Sequence, residues 1–192
     1  GKWVMREIRI QNLIAKCGEK KQGYINVTNT DIKLPITLIC GKNEGETVLI
    51  TGGVHCAEYV GIETAIELSN EINPENVSGN IIIIPLINRS GFENRTMSVV
   101  YEDGKNLNSV FPGDEKGSTS DKIAYFIEKE LFSISDYYID LHCGDGYEEL
   151  TPYVYCQGVA KEDVLSKSKQ MAMAINSEYI VKSQCGSGGA YN

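Results

Sequence analysis

Apolar and polar positions along the chain change their period in a way that separates strands from helices. Three opening runs, Arg6–Gln11, Gly23–Thr28 and Leu34–Cys40, mix β-branched residues with alternation, and turn-forming residues divide them, which predicts strands. The stretch GKNEGE at 41–46 reads as a hairpin loop leading into a strand at Thr47–Thr51. A 3.6-residue period then predicts a helix from about Ala57 to Ile72, ended by Asn73-Pro74. Four consecutive isoleucines within Asn80–Ile87 suit a strand covered on both faces. A second helix is predicted at about Ser120–Phe132, with Ser118 and Asp121 at capping-box spacing. Strands at Asp136–Leu141 and Tyr153–Tyr155, a helix at about Lys161–Asn176 and a strand at about Glu178–Val181 complete the series. Strands alternating with helices predict an α/β fold, a central mixed, largely parallel sheet flanked by helices, with residues 1–192 forming one domain.

One segment breaks the rhythm. From Asn88 to Ser118 no period is sustained, and loops of that length inside compact domains are usually functional or disordered. This one carries Arg89, Arg95, Asn106, Asn108 and an FPG turn, a mixed composition that favours a functional loop.

Composition narrows the partners. With 18 Lys+Arg against 26 Asp+Glu the net charge is −8, and no basic run exists to neutralise phosphates, so nucleic acid is not expected as a partner. The longest apolar run, Ile81–Ile87, contains Pro85 and is far too short to span a bilayer, so no membrane is expected either. Six cysteines without a CxxC read as reduced thiols, and the N-terminus has no apolar stretch of signal-peptide length, so a cytoplasmic protein is expected.

The candidate chemistry rests on two histidines, His55 and His142, the only two in the chain. Each follows a strand-like run, VLITGGVH and YYIDLH, at the strand ends where open α/β sheets place their sites. Glu58 shares a helix face with Ile62, Ala65 and Ile66, opposite Glu63, Glu67, Asn70 and Glu71. A carboxylate on the buried stripe needs compensation, part from the helix N-terminus and the rest from a cation. His55-x-x-Glu58 with His142 gives two imidazoles, one carboxylate and an open fourth position, the ligand pattern of a catalytic zinc site. A rival reading pairs Cys56 or Cys143 with a histidine as a thiol nucleophile, but neighbours on an extended strand end point to opposite sides.

In order along the chain, GGVHCAEYVGIE, NRSGFENR, DGKNLNSVFPG and DLHCG resemble the zinc carboxypeptidase superfamily, and look most like its succinylglutamate desuccinylase and aspartoacylase branch. The resemblance runs from about Gly52 to Gly144. It implies one zinc ion per chain, held by His55, Glu58 and His142. It implies further that Arg95 polarises the scissile carbonyl and stabilises its oxyanion, and that Asn108 holds a substrate carboxylate. Asn106 stands where many peptidase members have an aspartate that orients a zinc-bound histidine, a role an asparagine oxygen can still fill.

Two departures accompany it. Where the family usually has an arginine after the asparagine, this chain has Ser109, which lacks a guanidinium fork; Arg89 from the same loop is a candidate replacement. The family's general-base glutamate also finds no match before Asn192, so the catalytic domain reads as truncated at its C-terminus, or as a natural metal-binding domain without its base. The expected function is a zinc-dependent hydrolase of the deacylase type, cleaving an amide in an N-acyl amino acid or small peptide. The alternatives are a catalytically impaired zinc-binding module and a carboxypeptidase-type metallopeptidase.

Overall fold

Why the isoleucine run is so apolar becomes plain from its place in the sheet. A computed structural model of the chain describes residues 5–142, 153–157 and 179–183. The strands are β1 (Glu7–Ile10), β2 (Leu13–Lys16), β3 (Lys20–Asn26), β4 (Lys33–Cys40), β5 (Asn43–Thr51), β6 (Ser78–Ile84), β7 (Tyr137–His142), β8 (Tyr153–Gln157) and β9 (Tyr179–Ser183). Strands β1 and β2 form a small antiparallel hairpin, and the other seven form one sheet in the order β3-β4-β6-β5-β7-β8-β9. The isoleucine strand β6 has a partner on either side, and Ile82, Ile83 and Ile84 are fully buried. Parallel pairings of β5 with both β6 and β7 make the middle of the sheet, and antiparallel β4–β6 and β7–β8 pairs border it. The expected mixed sheet with flanking helices is therefore present.

Local readings change in three places. GKNEGE is not a hairpin loop: β5 already begins at Asn43, with a register shift before Thr47, and β6 lies between β4 and β5. The isoleucines can pair on both edges, so they take the position a hairpin partner would have filled. The stretch from Asn88 to Ser118 is not devoid of regular structure either. It holds the helix α2 (Arg89–Asn94) and a 3₁₀ turn at Leu107–Ser109, and Val100, Leu107 and Phe111 are buried in the main core. A six-residue helix is too short to display a helical period. Its start is fixed by fully buried Asn88, whose side chain accepts from Gly91 N and donates to Val99 O. The third change concerns the helix α1 (Tyr59–Glu71), which buries Gly61, Ile62, Ala65 and Ser69, whereas Ile66 is 46% exposed. At 3.6 residues per turn, Ile66 stands about 80° round from Glu58, at the margin of the stripe rather than on it.

Gly61 explains how close α1 comes to the sheet. A Cβ there would lie 2.9 Å from the Leu141 carbonyl oxygen, so only glycine lets the first turn of the helix rest on the end of β7. That approach sets Glu58 beside His142. Gly53 has a φ of 62°, open to glycine at little cost, and turns the chain from β5 toward His55. The helix predicted at Lys161–Asn176 lies outside the described residues. No helix among the described residues is long and apolar enough to cross a membrane.

The helix α3 (Thr119–Phe126) continues into a π turn at Ile127–Leu131 and ends in a 3₁₀ turn at Phe132–Ile134. Ser118 and Asp121 form the expected capping box. Asp103 adds a cap from outside the helix, accepting from Ser120 N at 2.7 Å and from Ser120 Oγ at 2.6 Å. Burial by itself would raise the Asp103 pKa, but the hydrogen bonds from Ser120 hold it below the ordinary carboxylate value. A group with a depressed folded-state pKa stabilises the fold above its unfolded value, and that contribution is lost as pH falls through the folded value. Asp103→Ala should therefore lower stability by about 1 kcal/mol at neutral pH. The difference from wild type should shrink below about pH 4. Urea unfolding at several pH values checks this, and a loss that did not change with acidification would show that the charge is irrelevant.

Candidate metal centre

Three side chains from three segments converge at the carboxyl ends of β5 and β7. His55 comes from the turn after β5, Glu58 is the residue before α1, and His142 is the last residue of β7. Their ligand atoms all lie within 4.8 Å of one another. Glu58 Oε1 is 3.3 Å from His55 Nδ1, and Glu58 Oε2 is 2.9 Å from His142 Nδ1. The two imidazoles meet edge to face, with centroids 5.4 Å apart.

The far side of each ring is also held. His55 Nε2 lies 3.2 Å from Asn106 Oδ1, and His142 Nε2 donates to Asp140 Oδ2. Each ring thus turns Nδ1 inward; Asp140 accepts at His142 Nε2, whereas His55 Nε2 lies against both Asn106 Oδ1 and Asn108 Nδ2. An acceptor at one ring nitrogen fixes the proton there and leaves the other nitrogen's lone pair for a metal. Asp140 was not among the residues the sequence singled out. The signal was its spacing, two residues before His142 and so on the same side of an extended strand.

Burial sharpens the electrostatics. Glu58 is 5% exposed, Asp140 0% and His142 2%. Burial opposes a charged His142, but Asp140 and Glu58 outweigh it and lift its pKa to about 11. The hydrogen bond that His55 donates to Glu58 raises the His55 pKa against the opposing effect of burial. Burial would raise the Glu58 pKa, yet the two imidazoles bring it below the usual carboxylate value. Two buried carboxylates around the imidazoles require positive charge. A divalent cation with two neutral histidines would balance them, and with metal–ligand bonds of about 2 Å the donors are close enough to share one ion.

A family profile for the succinylglutamate desuccinylase/aspartoacylase catalytic domain matches residues 44–191. The chain belongs to that family. As a desuccinylase/aspartoacylase-family chain, it is 36% identical over 146 residues to the N-alpha-acetyl-L-2,4-diaminobutyric acid deacetylase of Halomonas elongata, a match covering 75% of this chain and 40% of the relative. An aspartoacylase family protein from Mesorhizobium loti superimposes with a TM-score of 0.71 at 28% identity, over 99% of this chain and 60% of the other. A succinylglutamate desuccinylase from a Silicibacter species gives 0.72 at 26% identity, over 97% and 57%. The chain therefore spans roughly two fifths to three fifths of the length of these relatives.

The remaining candidates of this family member separate into two groups. Asn108 lies at the cluster, with Nδ2 3.1 Å from His55 Nε2 and its backbone N–H donating to Asn106 Oδ1. Its Oδ1 is buried with no hydrogen-bond partner among the described residues. Ser109 is adjacent, but its hydroxyl donates to Asn106 O and closes the 3₁₀ turn. Arg89 is directed elsewhere: its guanidinium donates to Glu93 and to Lys33 O, and lies over the Tyr24 ring.

Arg95 ends α2 in a left-handed conformation, φ 56°, with its side chain exposed. The next two residues are pinned to the turn that carries His55. Met97 O accepts from Ala57 N at 2.9 Å and from Cys56 Sγ at 3.1 Å, and Thr96 Oγ1 is 3.6 Å from that sulfur. Cys56 is buried and its thiol is engaged with this segment. Cys143 lies outside the described residues.

Proposed function

We propose that this chain forms the metal-binding core of a zinc-dependent hydrolase that cleaves the amide bond of an N-acyl amino acid. One observation carries the reading. Both Nδ1 atoms face the same buried carboxylate, while Asp140 accepts from His142 Nε2 and Asn106 and Asn108 flank His55 Nε2. Such rings are already turned as metal ligands. The name of the Halomonas relative, a deacetylase of an acetylated amino acid, supports the substrate class.

Zinc bound by His55, Glu58 and His142 would polarise the amide carbonyl and acidify a water molecule. The chain's own groups do the rest. Asp140 keeps the His142 imidazole in the tautomer that binds metal, and Asn106 and Asn108 hold the orientation of the His55 ring. Arg95, which precedes the Thr96–Met97 segment fastened to the turn bearing His55, provides the cation for the oxyanion that develops on the carbonyl. Asn108 is the proposed contact for the substrate carboxylate. Ser109 serves the turn that positions it, and Arg89 is committed to Glu93, Lys33 and Tyr24 rather than to substrate.

Elemental analysis of the purified chain should find about one zinc per molecule after incubation with the metal, and a chelator should remove it. Amine release from a panel of N-acetyl and N-succinyl amino acids, with a dipeptide beside them, then sorts deacylase from peptidase. Failure to take up zinc under excess metal would sink the reading. Zinc uptake with dipeptide cleavage alone would move the substrate class to peptides.

A further inference from the structure

Behind His142 the buried polar contacts do not stop at Asp140. Thr51, the last residue of β5, is the register partner of Asp140 on β7. Its Oγ1 lies 2.7 Å from Asp140 Oδ1 and 2.8 Å from the Tyr138 phenolic oxygen. A carboxylate only accepts, so Thr51 donates to Asp140 and its lone pairs accept from the Tyr138 hydroxyl. Tyr138, Asp140 and His142 alternate along β7 and so point to the same side of the sheet. The result is a directed series in which Tyr138 donates to Thr51, Thr51 to Asp140 Oδ1, and His142 to Asp140 Oδ2. Thr51 and Asp140 are wholly buried, and His142 and Tyr138 nearly so.

A hydroxyl and a carboxylate are costly to place in the middle of a parallel sheet, and a valine at position 51 would fit the strand as well. From this placement we infer that Thr51 and Tyr138 are positioning residues for the metal centre. They fix the rotation of the Asp140 carboxylate, and through it the orientation and tautomer of His142. With the Thr51 hydroxyl on Oδ1, the carboxylate is turned so that Oδ2 receives the imidazole N–H, and His142 Nδ1 is then held toward Glu58. Removal of the hydroxyl leaves a buried carboxylate oxygen unpaired, and the carboxylate loses its reason to keep that rotation. The inference rests on the zinc reading of the site.

Two substitutions at one position separate polar positioning from packing. Thr51→Val keeps the shape and removes the hydroxyl, whereas Thr51→Ser keeps the hydroxyl and removes a methyl. Zinc affinity measured by chelator competition should fall about tenfold or more in Thr51→Val, the range typical of partners that orient a ligand from behind. It should stay near the wild-type value in Thr51→Ser. Cobalt(II) absorption should shift in the valine variant and not in the serine variant, because ligand geometry changes only where the hydroxyl is lost. Equal affinity of wild type and Thr51→Val, or an equal loss in both variants, would overturn the inference while the zinc site stood. A wild-type chain that takes up neither zinc nor cobalt would overturn the metal reading and the inference with it. Should Thr51→Val not fold, Tyr138→Phe decides in the same way: weakened zinc supports the positioning role, and unchanged zinc refutes it.

Discussion

His142→Ala is expected to abolish stoichiometric zinc binding and to destabilise the metal-free chain as well. Both effects follow from its position between two buried carboxylates, Glu58 on its Nδ1 side and Asp140 on its Nε2 side. Alanine removes a ligand and also the group that compensates both charges. Breaking a buried ion pair by deleting one partner costs about 3–5 kcal/mol, because the remaining charge stays desolvated. His55→Ala should lose zinc equally but leave the metal-free fold less affected, since His55 is partly exposed and contacts only one of the two carboxylates. Elemental analysis and thermal unfolding of the metal-free proteins distinguish the two. Full zinc retention by either variant would refute the ligand assignment. Equal destabilisation by both would refute the argument that two carboxylates depend on His142.

How much of this was readable beforehand depended on how local each signal is. His55, Glu58 and His142 could be joined because each stands at a recognisable element boundary, a strand end or a helix start, and boundaries are what hydrophobic patterning reveals. Their convergence required only that β5 and β7 be neighbours, which parallel pairing of Thr51 with Asp140 provides. Asp140 escaped because a buried aspartate inside a strand looks locally like an unfavourable strand residue; its meaning comes from His142 two positions on and from Thr51 on another strand. The position of β6 between β4 and β5 escaped for the same reason. Nothing near GKNEGE tells that its following strand will pair with isoleucines some thirty residues later rather than with the strand just before it. Arg89 and Arg95 look alike in sequence, both cations in one segment. Only the fold shows that Arg89 is engaged by Glu93 and Lys33, whereas the residues after Arg95 are fastened to the turn of His55.

That difference makes Arg95→Ala the sharper test of the chemistry. If Arg95 stabilises the oxyanion, kcat/KM for amide hydrolysis should fall about 10²–10³-fold, the usual loss when one such donor is removed. Zinc content should remain at the wild-type value, because no hydrogen bond or ion pair among the described residues joins the guanidinium to a ligand. Alanine is a fair probe here: the backbone at 95 already tolerates a Cβ at a φ of 56°, and the capping contacts of α2 to Gly91 O and Phe92 O are made by the main-chain N–H. Arg89→Ala serves as the paired control and should leave hydrolysis within a few-fold of wild type, its loss falling on the contact with Glu93 and Lys33 instead. Zinc loss in Arg95→Ala as complete as in the histidine variants would assign the residue to the metal centre's integrity rather than to the oxyanion. A hydrolysis rate untouched by Arg95→Ala but collapsed by Arg89→Ala would exchange the roles of the two arginines, and would require the Glu93 pairing to open when substrate binds.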